Sequence, residues 1–159
     1  MKINESVVEK ILTKFIKEGL YKFDFKRGIL GLSGGLDSSV CAFLAARALK
    51  PRYVTCLIMP YGKAFSHDVK DAQDVAQLLG VSYKLIDISP MVNLYFAKHP
   101  TESRILKGNK MARERMSILY DFSARENALI LGTSNKTELL LGYGTIHGDM
   151  ASAFNPLGD

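Results

Sequence analysis

The chain has 159 residues, 47% of them apolar and 23% charged, which is enough apolar content for one domain with its own core and too short for two of ordinary size. This composition excludes a disordered, collagen-like or low-complexity chain. Lysine and arginine outnumber aspartate and glutamate to give a formal net charge of +5, which suits an anionic partner without separating nucleic acid, nucleotide and a merely solvated surface.

The opening residues, Met1 to Glu5, meet charge within a few positions and lack the unbroken apolar stretch of a signal peptide or membrane span. A cytoplasmic protein with no membrane contact is therefore expected. Val7, Val8, Ile11, Leu12, Phe15 and Ile16 then recur at helical spacing after Asn4, a candidate N-cap, with Gly19 as the expected stop. A first strand covers the apolar run Ile29 to Leu32, and the cluster Ser33-Gly34-Gly35-Leu36-Asp37-Ser38-Ser39 follows it. Val40 to Leu49 reads as a helix that is apolar nearly all round and so buried on most sides. Cys41 and Cys56 are the only cysteines and sit in apolar runs, so they read as core residues, with no disulfide framework or zinc site.

The alternation repeats. Tyr53 to Met59 predicts a second strand, and Ser66 a cap for a helix whose inner face is Val69, Ala72, Val75, Ala76 and Leu79, ending at Gly80. Val81 to Ile88 predicts a third strand. From Ser89 to Lys107 the pattern weakens around Pro90 and Pro100, and only a short helix near Met91 to Ala97 is expected. A long helix from about Asn109 to Asn127 leads into a fourth strand, Ala128 to Leu131. Strands alternating with helices across short loops predict one α/β domain over residues 1–159: a doubly wound, open parallel sheet with helices on both faces. Ligands of such sheets bind beyond the carboxyl ends of the strands, where the winding reverses. If the first and fourth strands are neighbours, Ser33 to Ser39 and Gly132 to Glu138 face one crevice.

Two adjacent glycines free the first loop for a tight concave turn whose N–H groups point inward, and such a nest at a helix N-terminus binds phosphate oxygens. Ser33, Ser38 and Ser39 offer hydroxyls, and Asp37 offers a carboxylate that would repel bare phosphate yet hold a magnesium ion bridging to it. The loop lacks the Walker lysine and the spaced glycines of the dinucleotide fingerprint. The lesser reading of the same pattern is a glycine turn with Ser38 or Asp37 as a helix cap.

Ser-Gly-Gly-Leu-Asp-Ser-Ser after a strand closely resembles the pyrophosphate-binding loop of the ATP pyrophosphatase, or PP-loop, superfamily, whose sheet is of the adenine nucleotide alpha hydrolase type. Leu131 to Glu138, Gly142-Tyr143-Gly144-Thr145, Gly148-Asp149 and Gly108 to Met116 extend the likeness, in the same order, to the ammonia-dependent NAD synthetases. The resemblance implies that the nicotinate carboxylate of deamido-NAD attacks the α-phosphorus of ATP and that ammonia then displaces AMP to give NAD. It implies ATP contacts at Gly31, Leu32, Ser33, Gly34, Gly35, Leu36, Asp37, Ser38 and Thr133, magnesium held by Asp37 and Glu138, and deamido-NAD touched by Arg113. It further implies a homodimer, no nucleic-acid partner, no side-chain nucleophile, and ammonia used directly, without a glutaminase region.

Other readings of the same residues stay open. Glu138 also reads as an acid in the first turn of a helix, Arg113 and Arg115 as the wet face of the long helix, with Arg115 evenly placed between structure and substrate contact, and Asp149 equally as a loop brace or a substrate contact. His67, His99 and His147 lack metal-ligand spacing. Many family members carry a lysine and an aspartate for the dinucleotide where this chain has Ile146 and Ala153, and the family continues past the position of Asp159 with a further lysine and a closing loop. The alternatives are a PP-loop synthetase that adenylates another acceptor, such as a purine, an amino acid or a transfer-RNA base, and a nucleotide-binding piece without turnover.

Overall fold

The computed structural model describes residues 3–62 and 66–158, apart from the side chain of Ser66. Asn4 caps the first helix, α1 (Glu5–Lys22), by accepting the Val7 N–H on Oδ1 at 3.2 Å. The helix runs through Gly19 rather than stopping there. A Cβ at Gly19 would lie 3.3 Å from the Phe154 ring, so this glycine makes room for an aromatic neighbour. Only Ile16 and Leu20 of α1 are fully buried. Val7, Val8, Ile11 and Phe15 remain 39% to 60% exposed, so much of the expected inward stripe faces outward.

Among the described residues, four strands follow: β1 (Arg27–Gly31), β2 (Val54–Ile58), β3 (Ser82–Leu85) and β4 (Ala128–Ile130). All pairings are parallel and the order is β3-β2-β1-β4. Side chains alternate between the two faces of this sheet. Leu30, Val54, Cys56 and Ile58 pack with Ile16 and Leu20 of α1, with α2 (Leu36–Leu49) and with Ala72 and Ala76 of α3 (Ser66–Leu79). Ile29, Leu57 and Ile130 pack with Val92 of α4 (Ser89–Lys98) and Met116 and Leu119 of α5 (Arg104–Glu126). The two separate cores make this the doubly wound α/β sheet that the alternation predicts.

Several boundaries differ from the sequence reading for local reasons. α2 begins at Leu36, directly on the glycine loop, and its Val40 and Phe43 stay more than a third exposed. The inner face of α3 is as expected and Gly80 ends it at φ +65; the capping role of Ser66 lies outside the described residues. β3 is shorter than expected, with Val81 and Ile88 buried on either side of it. α4 takes Pro90 into its first turn, where the missing N–H costs nothing. α5 starts five residues earlier than Asn109 because Ser103 caps it, accepting the Leu106 N–H at 3.3 Å, and Gly108 is absorbed into the helix. Asn127, left-handed at φ 48, ends it.

At the amino ends of the strands, Thr55 donates its hydroxyl to Glu126 at 2.7 Å, and the Arg27 guanidinium reaches the same carboxylate oxygen at 3.4 Å. β1, β2 and the end of α5 are thereby tied together at the foot of the sheet.

Candidate functional site

β1 has β2 on one side and β4 on the other, so the winding reverses beside it and the loops after β1 and β4 converge. Within the first loop, Gly34 has φ +87, and a Cβ there would run into the carbonyl oxygen of Asp68 at the start of α3. Glycine is required on both grounds. The serines brace the turn: Ser33 and Ser38 hydroxyl oxygens are 2.9 Å apart, Ser38 accepts the Ser33 N–H at 3.2 Å, and Ser38 and Ser39 donate to the Gly35 carbonyl at 3.0 and 2.8 Å. The Gly35 N–H is taken by Ser33 Oγ at 3.2 Å. These hydroxyls, expected as extra donors to an anion, serve the loop itself. The cap of α2 is Gly35, which brings no side-chain acceptor, so the first-turn N–H groups and the positive end of the helix dipole face the crevice.

The second loop is held as tightly. A Cβ at Gly132 would collide with the Asn155 and Ser152 side chains. The Gly132 N–H donates to the Phe154 carbonyl at 2.9 Å, and its own carbonyl accepts the buried Cys41 thiol at 3.5 Å. Burial first, and the Asp37 carboxylate second, push the Cys41 thiol up to about 12, so it is a neutral donor and no nucleophile. Asn135 starts α6 (Lys136–Leu141) with a reciprocal capping box to Glu138.

Two adjoining cavities result. The smaller, about 200 Å³, is lined by Asp37, Ser38, Thr133, Glu138 and Asp149 together with Ser33, Gly35, Leu36 and Ser134. The larger, about 440 Å³, opens beyond β1, β2 and β4; Gly31, Leu32, Met59, Pro60, Met116 and Leu119 give it apolar walls, and Ser33, Asp68, Arg115, Thr133, Thr145 and Asp149 add polar edges. Ser33, Thr133 and Asp149 border both. An apolar chamber with few polar groups beside a small polar one fits a nucleoside and its phosphates.

Of the residues singled out by sequence, Gly31 and Leu32 line the larger cavity only, Gly35, Leu36, Asp37, Ser38 and Glu138 the smaller only, and Ser33 and Thr133 both. Gly34 shapes the loop without lining either. Arg113 lines neither; it is exposed and donates from Nε to the Ile146 carbonyl at 3.0 Å. Asp149 braces as well as lines: its Oδ1 accepts the Thr145 N–H at 2.7 Å, and the Thr145 hydroxyl donates to Asn109 of α5 at 2.9 Å. Sequence reasoning missed Met59 and Pro60, whose signal was their place just past β2, and Asp68 in the first turn of α3. Among the described residues, no three histidines, cysteines or acids are grouped to hold a metal ion, and none of the helices is long and apolar enough to cross a membrane.

Comparison with known proteins meets this geometry from another side. The sequence model of a family described as NAD synthase matches residues 7–159. The chain is 48% identical to the NH(3)-dependent NAD(+) synthetase of Trichlorobacter lovleyi over 159 residues, all of this chain and 58% of that protein. Among solved structures, the NH3-dependent NAD synthetase from Campylobacter jejuni, in complex with the nitrate ion, superposes with a TM-score of 0.94 at 40% identity, covering 99% of this chain and 69% of that one. The NMN synthetase from Francisella tularensis gives 0.92 at 30% identity, covering 99% and 66%. The chain spans a little over half the length of the curated relatives it matches. The converging loops, the paired cavities and a match over residues 7–159 agree: the chain belongs to the NAD synthase family.

Proposed function

We propose that the chain forms the nucleotide-activating part of a cytoplasmic, ammonia-dependent NAD synthetase, a ligase that makes a carbon–nitrogen bond. The carboxylate oxygen of deamido-NAD attacks the α-phosphorus of ATP as the bond to pyrophosphate breaks. Ammonia then adds to the acyl carbon, AMP leaves with the bonding pair, and a proton is lost to solvent. The observation that carries this reading is the adjacency of β1 and β4, which puts Asp37 and Glu138, far apart in sequence, on one small polar cavity next to a nucleoside-sized one.

Adenosine would lie in the larger cavity along Gly31 and Leu32, with Met59, Pro60 and Leu119 excluding water from the base. The outer phosphates would meet the uncapped first turn of α2, with Gly34 and Gly35 allowing the backbone to close around them. Thr133, bordering both cavities, would orient the triphosphate between them. Asp37 and Glu138 suit magnesium, which favours one or two carboxylates plus substrate phosphates over an all-protein cage; one Glu138 oxygen is held by the capping box and the other is left for a ligand. When bound, the ion would neutralise charge on the departing pyrophosphate. Catalysis rests on positioning and electrostatics, since the only thiol near the site is a neutral donor.

Arg113, exposed at the rim of α5 beside Ile146, would meet the phosphates of deamido-NAD arriving from outside both cavities. The likeness to an NMN synthetase favours a mononucleotide acceptor as the second reading. The exposed Leu94, Ile105 and Leu106 on α4 and α5 support the homodimer that the family resemblance implies. The test is incubation with ATP, magnesium and ammonium plus either deamido-NAD or nicotinate mononucleotide. NAD with AMP supports the proposal, ADP in place of AMP sinks adenylation, and preference for the mononucleotide selects the second reading. ATP binding with no turnover would identify a nucleotide-binding unit alone.

A further inference from the structure

Arg113 and Arg115 stand two residues apart on α5, and their side chains leave the helix in different directions. Arg113 points to the exposed rim, whereas Arg115 is half-buried and lines the larger cavity between Met59, Met116 and Leu119. Its Nε donates to the Met59 carbonyl at 2.9 Å. That bond uses Nε, restrains the plane of the guanidinium and leaves its terminal N–H groups out of the Met59 contact, in a residue that lines the cavity.

Among the described residues, Arg115 forms no ion pair, whereas Lys110 and Arg125 of the same helix do: Lys110 bonds Glu114 at 2.6 Å and Arg125 bonds Asp121 at 2.8 Å. Burial lowers its pKa, which reports the cost of holding a charge there without a counterion. A cation kept at such a cost, in a fixed orientation, on the wall of a nucleoside-sized cavity is a receptor for an anion delivered by the ligand.

We propose that Arg115 is a nucleotide-binding residue that donates to phosphate oxygens of an ATP whose adenosine occupies the larger cavity. The inference rests on the ATP-binding reading above. Unlike a positive surface patch, the site is selective: the anion must carry an apolar body that fills the chamber walled by Leu32, Met59 and Leu119.

The test is calorimetric titration of wild type and Arg115→Gln with magnesium-ATP and, separately, with adenosine. Wild type binds ATP, and Arg115→Gln weakens ATP binding by about tenfold or more, the scale of a lost charge-assisted hydrogen bond, while adenosine affinity stays within about twofold. Equal ATP affinity in the variant overturns the proposal. So does an equal loss for ATP and adenosine, which would make Arg115 a packing element of the chamber wall. If wild type binds no ATP, the ATP reading itself fails. Should Arg115→Gln not fold, nitrogen-15 NMR of the wild-type arginine side chains decides: ATP, but not adenosine, is expected to slow rotation of the Arg115 terminal amino groups, and no change with ATP overturns the assignment.

Discussion

Asn135 and Glu138 hold each other: Asn135 Oδ1 accepts the Glu138 N–H and Glu138 Oε2 accepts the Asn135 N–H, both at 3.0 Å. The acid proposed as a metal ligand is thus also a structural part of the short helix that presents it. The two roles separate by substitution. Glu138→Gln keeps an acceptor oxygen for the Asn135 N–H and removes the charge, so thermal stability is expected to stay near wild type while the magnesium dependence of ATP binding weakens, Asp37 remaining as the other carboxylate. Glu138→Ala loses both, with an added destabilisation of about 1 kcal/mol, the usual scale of a lost cap. Thermal melts paired with magnesium titrations of ATP affinity measure the difference. Undiminished magnesium dependence in Glu138→Gln would remove the carboxylate from the ligand set.

The two glycines of the first loop are not equivalent. At Gly34, φ is +87 and a Cβ meets the Asp68 backbone, whereas at Gly35 the nearest atom to a Cβ is Ser33 Oγ at 3.3 Å. Gly34→Ala is expected to cost about 1–3 kcal/mol, from the unfavourable φ together with displacement of α3, and to abolish ATP binding. Gly35→Ala is expected to leave the melting temperature nearly unchanged. Urea unfolding of the two variants side by side provides the comparison, and equal stability would contradict the close approach of loop and helix.

Much of this arrangement could be read from the chain. The alternation of apolar runs located four strands, and Asn-Lys-Thr-Glu at 135–138 carries the spacing of a capping box. Other features have no local signature. Gly19 and Gly108 resemble helix boundaries, yet one accommodates Phe154, distant in sequence, and the other is overridden by the Ser103 cap. Whether Arg113 or Arg115 turns inward depends on the rotation of α5 against the sheet, fixed by Met116 and Leu119 packing on Ile29 and Ile130. The adjacency of β1 and β4 is likewise a property of the whole sheet.

The buried thiols give a pH dependence. Burial raises both Cys41 and Cys56 from 9.0 to about 12. A raised folded-state pKa contributes stability that is full below the unfolded value near 9 and is lost as pH climbs towards 12, because the unfolded chain releases the proton first. At pH 10 the loss is on the order of 1–2 kcal/mol per thiol. Urea midpoints between pH 8 and 10 for wild type and Cys56→Ala are expected to diverge in slope, with the variant falling less. Parallel curves would show that the thiols do not govern the decline.

The Arg27–Thr55–Glu126 cluster clamps the amino ends of β1 and β2 to the end of α5, and the crevice lies at the opposite ends of the same strands. The sheet is therefore a fork with its tines pinned at the handle. Breathing that admits a nucleotide can spread the tips while the base keeps its register. Amide exchange is expected to grade along single strands, slow at Gly28 and Thr55 and faster towards Gly31 and Ile58. Thr55→Val, which unpins the handle, should flatten that gradient without touching any group that faces the ligand.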